Sequence, residues 1–103
     1  MRRTIPAVLL EVVANVTSGS QTHASLDSLF TYAGATGEPP EGSKLVKAME
    51  WLRRTNKDEA SDPLGVLGKI IEGYMDGSLD PKNDWYQHDL ENRERIAKAL
   101  AAC

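Results

Sequence analysis

The chain has 103 residues, and its 41% hydrophobic content is ordinary for one globular domain with a genuine core. Twelve basic and fifteen acidic residues give a formal charge of −3. This balance argues against a dedicated nucleic-acid binder, because such proteins need a basic surface to displace counterions from phosphates. One cysteine excludes an internal disulfide, and no apolar run approaches the ~20 residues of a membrane span, so we expect a cytoplasmic protein.

Two helices are predicted in the first third of the chain. The first covers residues 5–16 with Thr4 as its N-cap, because apolar residues recur there at helical spacing, although their β-branched character also fits a strand. Those residues are Ile5, Val8, Leu9, Val12, Val13 and Val16. The second covers residues 22–33 and ends before Gly34, a residue suited to the left-handed conformation that follows many helices.

Residues 34–42 contain three glycines and two prolines, so they predict a loop without regular structure. A loop of this length in a compact domain is often a contact surface. Its central residues are therefore candidate interaction residues, and they are Glu38, Pro39, Pro40 and Glu41.

The chain is organised around the next two predicted helices, residues 43–57 and 62–75. Ser43 is the expected N-cap of the first, and Asp62 followed by Pro63 is typical of the start of the second. We expect their apolar faces to form the central seam of the core, with Leu45, Met49 and Leu52 on one side and Leu67, Ile71 and Met75 on the other. Ala48 shares the first of these faces.

Two further features of these two helices lead to predictions. Glu50 and Arg54 have the i,i+4 spacing of a favourable ion pair on the exposed side of the helix. Three glycines in the second helix cost helix stability, so we expect them to allow close approach of another helix. They are Gly65, Gly68 and Gly73.

A fifth helix is predicted to begin at Asn83 or Asp84, where Asp84 and Gln87 match a capping box. Its inward residues are expected to be Trp85, Leu90, Ile96, Ala97 and Leu100. The pattern reaches Cys103 without a Gly, Asn or Pro stop signal, which indicates the N-terminal module of a longer polypeptide.

No motif of metal or acid-base chemistry is complete in the sequence. Residues 76–84 resemble a calcium loop, but Pro81 stands where the turn needs glycine and Gln87 replaces the bidentate glutamate. His23 and Asp27 have the spacing of a general-base pair, for which an exposed i,i+4 contact is the simpler reading. Two histidines and one terminal cysteine do not make a zinc site, so we expect neither metal nor cofactor.

A small basic face is expected on the third helix, followed by acids. The basic residues are Arg53, Arg54 and Lys57, with Lys47 earlier on the same helix, and the acids are Asp58, Glu59 and Asp62. These complementary patches could meet between two copies of the chain, as could the basic patch and the acids of the fifth helix. The same basic face together with Trp51 could contact a nucleic acid, which is the alternative function.

Four stretches of the sequence resemble the N-terminal helical modules of bacterial abortive-infection (AbiJ-type) phage-defence proteins. The stretches are residues 29–34, 39–44, 51–57 and 62–69, and the similarity spans roughly residues 22–100. The resemblance implies a small helical domain fused to a C-terminal effector, often a helical nuclease-like domain. It also implies a role in sensing infection or in holding the effector in an assembly. This chain lacks the Arg-x4-His signature of such nucleases, so no catalytic residue is transferred.

The sequence therefore predicts a single all-α domain over residues 1–103, a compact bundle of about five helices, for which a death-fold-like arrangement is one option. The expected function is non-catalytic: an adaptor, oligomerisation or sensing module of a bacterial anti-phage protein. Its expected partner is a second copy or a C-terminal effector domain, with no membrane and no nucleic acid. An enzyme that uses His23 and Asp27 is the third possibility. Its test is the loss of activity when each of these residues is replaced by alanine.

Overall fold

The computed structural model describes residues 3–75 and 86–102. Five α-helices contain most of these residues. The helices are α1 (Ala7–Ser20), α2 (His23–Ala33), α3 (Lys44–Lys57), α4 (Pro63–Met75) and α5 (Tyr86–Ala102). These described ranges contain no strand, so the prediction of an all-α bundle of about five helices is confirmed. The predicted start of the fifth helix and the calcium-like loop lie outside the described residues.

Helix α1 is the centre of the packing. It packs most extensively against α3 and then against α5, whereas α2 packs mainly against α4. The predicted central seam between α3 and α4 is therefore wrong, because these two helices share only a small surface. Buried apolar side chains from all five helices form one core instead: Ile5, Leu9, Leu10, Val13, Ala14, Leu26, Phe30, Ala33, Ala48, Trp51, Leu52, Val66, Leu67, Ile70 and Ala99.

Both ends of α1 differ from the prediction. The helix begins at Ala7 rather than at Ile5, because Ile5 precedes a proline, where helical backbone angles are disfavoured, and because the side chain of Asn56 on α3 bonds to the backbone of Ile5. The Ile5 N–H donates to Asn56 Oδ1 at 2.8 Å, and Asn56 Nδ2 donates to the Ile5 carbonyl at 3.2 Å. Ile5 is thereby held in an extended segment before the helix, and Thr4 is not the N-cap.

The C-terminal end of α1 extends to Ser20, four residues beyond the predicted end. Three side-chain hydroxyls there donate to carbonyls of the preceding turn: Thr17 to Val13 at 2.8 Å, Ser18 to Asn15 at 3.1 Å and Ser20 to Val16 at 2.8 Å. The hydroxyls thereby find acceptors on the helix itself, an arrangement typical of serine and threonine side chains in helices.

The predicted C-cap Gly34 of α2 and the predicted N-caps Ser43 of α3 and Asp62 of α4 are confirmed. Thr22, predicted as the first residue of α2, is its N-cap instead. The Thr22 and Ser25 side chains form a reciprocal capping box at the start of α2, and Gly34 ends it with φ 94°. Ser43 accepts from the Val46 N–H at the start of α3, and Asp62 accepts from the Gly65 N–H at the start of α4. Each N-cap side chain satisfies a backbone donor that the helix itself leaves without a partner, and the Gly34 N–H donates to carbonyls at the end of α2.

The buried face of α3 is rotated from the predicted stripe. Leu45 is exposed to 36%, whereas Trp51 and Thr55 are fully buried. The large area of the indole ring explains the rotation, because burying it outweighs burying a terminal leucine. Trp51 packs against Phe30 of α2, with ring centroids 5.2 Å apart.

Other side chains predicted to face the core are exposed. Val8 on α1 is exposed to 53% and Leu100 on α5 to 43%, and Ala97 is also exposed. On α5 the buried positions include Asn92, Ile96 and Ala99. The apolar residues of α5 do not form a clear stripe in the sequence. Packing against α1 and α4 therefore decides which face of α5 is buried.

The expectation that the glycines of α4 allow a close helix approach is wrong for two of the three. A Cβ at Gly68 would meet nothing within 4 Å, and a Cβ at Gly65 would meet the carboxylate of Asp62 in the same helix end. Only Gly73 faces another helix, where a Cβ would lie 4.0 Å from Leu29 of α2.

Candidate interaction surface

The loop between α2 and α3, residues 34–42 (the α2–α3 loop), has a defined shape. Gly34, Gly37 and Gly42 all have positive φ angles, which side chains with a Cβ rarely adopt. The Ala35 N–H bonds to the Phe30 carbonyl at 3.0 Å, so the loop leaves α2 through a hydrogen-bonded turn.

Arg54 on α3 holds the middle of this loop. Its Nη1 donates to the Glu38 carbonyl at 2.6 Å and to the Thr36 carbonyl at 3.2 Å. A Cβ at Gly37 would lie 2.8 Å from the same Nη1, so glycine lets the guanidinium lie directly against the loop backbone.

Thr36 provides a second attachment of the loop to α3. Its N–H donates to Thr55 Oγ1 at 3.1 Å, and its hydroxyl donates to Asp58 Oδ2 at 3.0 Å. The loop is thus fixed to the C-terminal half of α3 by both backbone and side-chain bonds. Its outer residues Glu38, Pro39 and Glu41 are exposed, and Pro40 is half-buried.

The predicted charged patches are divided between structural and surface roles. Arg54 binds the loop, Asp58 accepts from Thr36 and from the Ala60 N–H at 3.0 Å, and Asp62 caps α4. Arg53, Lys57 and Glu59 lie exposed. The local sequence did not indicate the binding of Arg54, because its acceptors are backbone carbonyls 16 and 18 residues earlier.

The predicted pair of Glu50 with Arg54 is replaced by a pair with Arg53. Arg53 Nη1 lies 2.9 Å from Glu50 Oε1, and both side chains are about half exposed. Such an exposed pair contributes little to stability, about 0–1 kcal/mol. The guanidinium of Arg53 is therefore available to other carboxylates.

Lys47 does not belong to an exposed basic face. Its residue is 7% exposed, and Nζ donates to Asp27 Oδ1 of α2 at 2.8 Å. Asp27 consequently pairs with a lysine and not with His23, which is exposed, so the structure does not bring the predicted general-base pair together.

Trp51 is unavailable for stacking on a nucleic-acid base, because its side chain is fully buried in the core. Its Nε1 has no hydrogen-bond partner in the described part of the structure. The nucleic-acid alternative therefore retains only Arg53 and Lys57 as exposed members of its proposed face.

A groove that the sequence did not predict lies between α1 and α3 (the α1–α3 groove). Its volume is about 310 Å³, and its lining comprises Ile5, Ala7, Leu10, Glu11, Met49, Arg53 and Asn56. It forms where the extended segment before α1 crosses to Asn56. A long-range contact creates it, so no local pattern could have indicated it.

Among residues 3–75 and 86–102, no three His, Cys, Asp or Glu side chains lie together as a metal ion would require. No described helix combines the length and apolar character needed to cross a membrane.

Comparison of the chain with protein-family models, with curated proteins and with solved structures finds no significant match. The resemblance to the abortive-infection modules therefore stays a prediction from the sequence.

Proposed function

We propose that this chain is a non-catalytic interaction module of a bacterial abortive-infection protein. It acts in the cytoplasm, where it joins copies of that protein to one another or docks to a C-terminal effector domain. The observation that carries the proposal is the α2–α3 loop, which Arg54 and Thr36 fix against α3 while Glu38, Pro39 and Glu41 point to the surface.

The fixed shape of the loop supports a role in binding. A loop that is already ordered loses less conformational entropy when a partner binds, so more of the contact energy appears as affinity. Arg54 bonds to the loop backbone, which leaves the Glu38 and Glu41 side chains free of that interaction. The loop therefore offers two carboxylates and a proline to a basic partner surface.

The electrostatic character of this surface predicts a dependence on salt. Exposed charges interact over about 8–10 Å at physiological ionic strength and less when salt is added. Association through the loop acids should therefore weaken as salt rises. The sequence resemblance supports the setting in phage defence and the effector domain as a partner.

The first experiment measures the solution mass by light scattering at several protein concentrations, in low and in high salt. We expect the mass to rise with concentration in low salt and to fall in high salt. The variant E38K/E41K should lower the low-salt mass, because it reverses the charge of the loop. The control E72K/E94K changes the net charge equally at exposed positions on α4 and α5 and should have little effect.

Two outcomes would contradict parts of this proposal. A monomer under every condition would contradict association of the chain with itself, and equal effects of the two double variants would contradict the loop as the surface. Short oligonucleotides provide the test of the alternative function. Binding that falls steeply with added salt would favour a nucleic-acid sensor.

A further inference from the structure

The α1–α3 groove carries opposite charges on its two walls. Glu11 of α1 and Arg53 of α3 are both exposed, while Ile5 and Leu10 are buried beneath them and Met49 is half-buried. A second copy of this surface carries the same acid, base and apolar residues. The acid of one copy could therefore pair with the base of the other while their apolar residues make contact.

Val8 provides an exposed apolar group next to Glu11 on α1, outside the residues that line the groove. It is exposed to 53% and lies three residues before Glu11 on α1, so the two side chains share one side of the helix. A single exposed valine needs no explanation by itself, but this one flanks Glu11, which lines the groove.

A two-fold symmetric contact requires a surface that complements itself. When residue i of one copy meets residue j of the other, j also meets i, so opposite charges must stand across the axis. Glu11 and Arg53 satisfy this requirement from the two walls of one groove. The pair of Arg53 with Glu50 does not prevent it, because that pair is exposed and a guanidinium has five N–H donors.

We propose that a second copy of this chain binds in the α1–α3 groove across a two-fold axis. Glu11 of each copy pairs with Arg53 of the other, and Val8, beside Glu11, packs against the partner. The inference rests on the proposed function and deepens it: the groove closes a dimer, and the α2–α3 loop joins such dimers to one another or docks to an effector domain.

The test uses the variants E11R and R53E in the full chain, each alone and in a one-to-one mixture. Either variant alone places like charges across the axis, and we expect its dimer dissociation constant to rise about tenfold or more. In the mixture, both contacts regain opposite charges, so a mixed dimer should form with nearly the wild-type affinity. Only contacts between copies can produce this rescue by mixing.

A matched pair of variants controls for net charge. E91R and R95E change the charge by the same amounts at exposed positions on α5. Each alone should dimerise like the wild type, and their mixture should show no rescue. V8D should also weaken the dimer, and circular dichroism should show that all variants retain their helices, because the substituted side chains are exposed.

The measurements are repeated in the E38K/E41K background, so that the groove is tested apart from the loop. If the wild type associates but E11R and R53E do not change the measured mass, the groove is not the dimer interface, and the proposed function stands. If the wild type is a monomer at every concentration in low salt, the two-fold contact and self-association by this chain are both overturned.

Discussion

Adjacent arginines on α3 have different environments. Arg54 is half-buried and donates to two loop carbonyls, whereas Arg53 is exposed and its side chain pairs with Glu50. Arg54 makes two bonds with one charged donor, one of them partly buried, so we expect it to stabilise the fold more than the exposed ion pair of Arg53 does. Arg53 and Arg54 therefore allow two environments to be compared for the same type of side chain.

Replacement of Arg54 by alanine should lower the free energy of unfolding by about 1–3 kcal/mol, because the Thr36 and Glu38 carbonyls lose their donor. Replacement of Arg53 by alanine should change it by less than about 0.5 kcal/mol. Urea denaturation followed by circular dichroism measures both values. Hydrogen exchange should also become faster in residues 34–42 of the Arg54→Ala variant alone, and equal exchange in the two variants would contradict the role of Arg54.

The ends of the helices show how far local chemistry determines an element. Thr22, Ser43 and Asp62 cap their helices through bonds that span three residues. The backbone bonds of Ile5 depend instead on Asn56, which is 51 residues away. Ser43 and Asp62 could therefore be predicted as caps, whereas the contact of Ile5 with Asn56 could not.

Two glycines of α4 should respond in opposite directions to alanine. Gly68→Ala should raise the free energy of unfolding by about 0.5–1 kcal/mol, because alanine favours the helix and the site is open. Gly65→Ala should lower it, since the new Cβ would displace the Asp62 carboxylate that caps the helix. Thermal and urea unfolding of the two variants provide the measurement, and a loss of stability in Gly68→Ala would contradict the open environment of that site.

At the scale of the whole molecule, the fully buried rings of Phe30 and Trp51 join α2 to α3 within the common core. The salt bridge of Lys47 with Asp27 joins the same two helices at the edge of that core. Helix α3 therefore connects α2 on one side with α1 on the other, and its apolar centre supports both the groove and the loop.

Trp51→Ala should lower the free energy of unfolding by about 3–5 kcal/mol, because it leaves a large cavity in the core. That loss is a large share of the roughly 5–15 kcal/mol that stabilises a domain of this kind. Leu45→Ala, at the exposed end of the same helix, should cost less than about 1 kcal/mol. Urea denaturation measures the difference, and similar losses in both variants would contradict the placement of Trp51 at the centre.

The sequence by itself determined the helical class, the five helices of the described residues and three of their caps, Gly34, Ser43 and Asp62. These features depend on residues three or four positions apart, such as Ser43 and Val46, so they can be predicted from the order of residues along the chain. Glu38 to Glu41 could likewise be assigned to a loop from their glycine and proline neighbours. Only the tertiary structure decided that Trp51 is buried, that Arg54 binds the loop and that Glu11 and Arg53 share a groove. Each of these depends on contacts between segments distant in the chain, and their geometry follows from how the helices pack together.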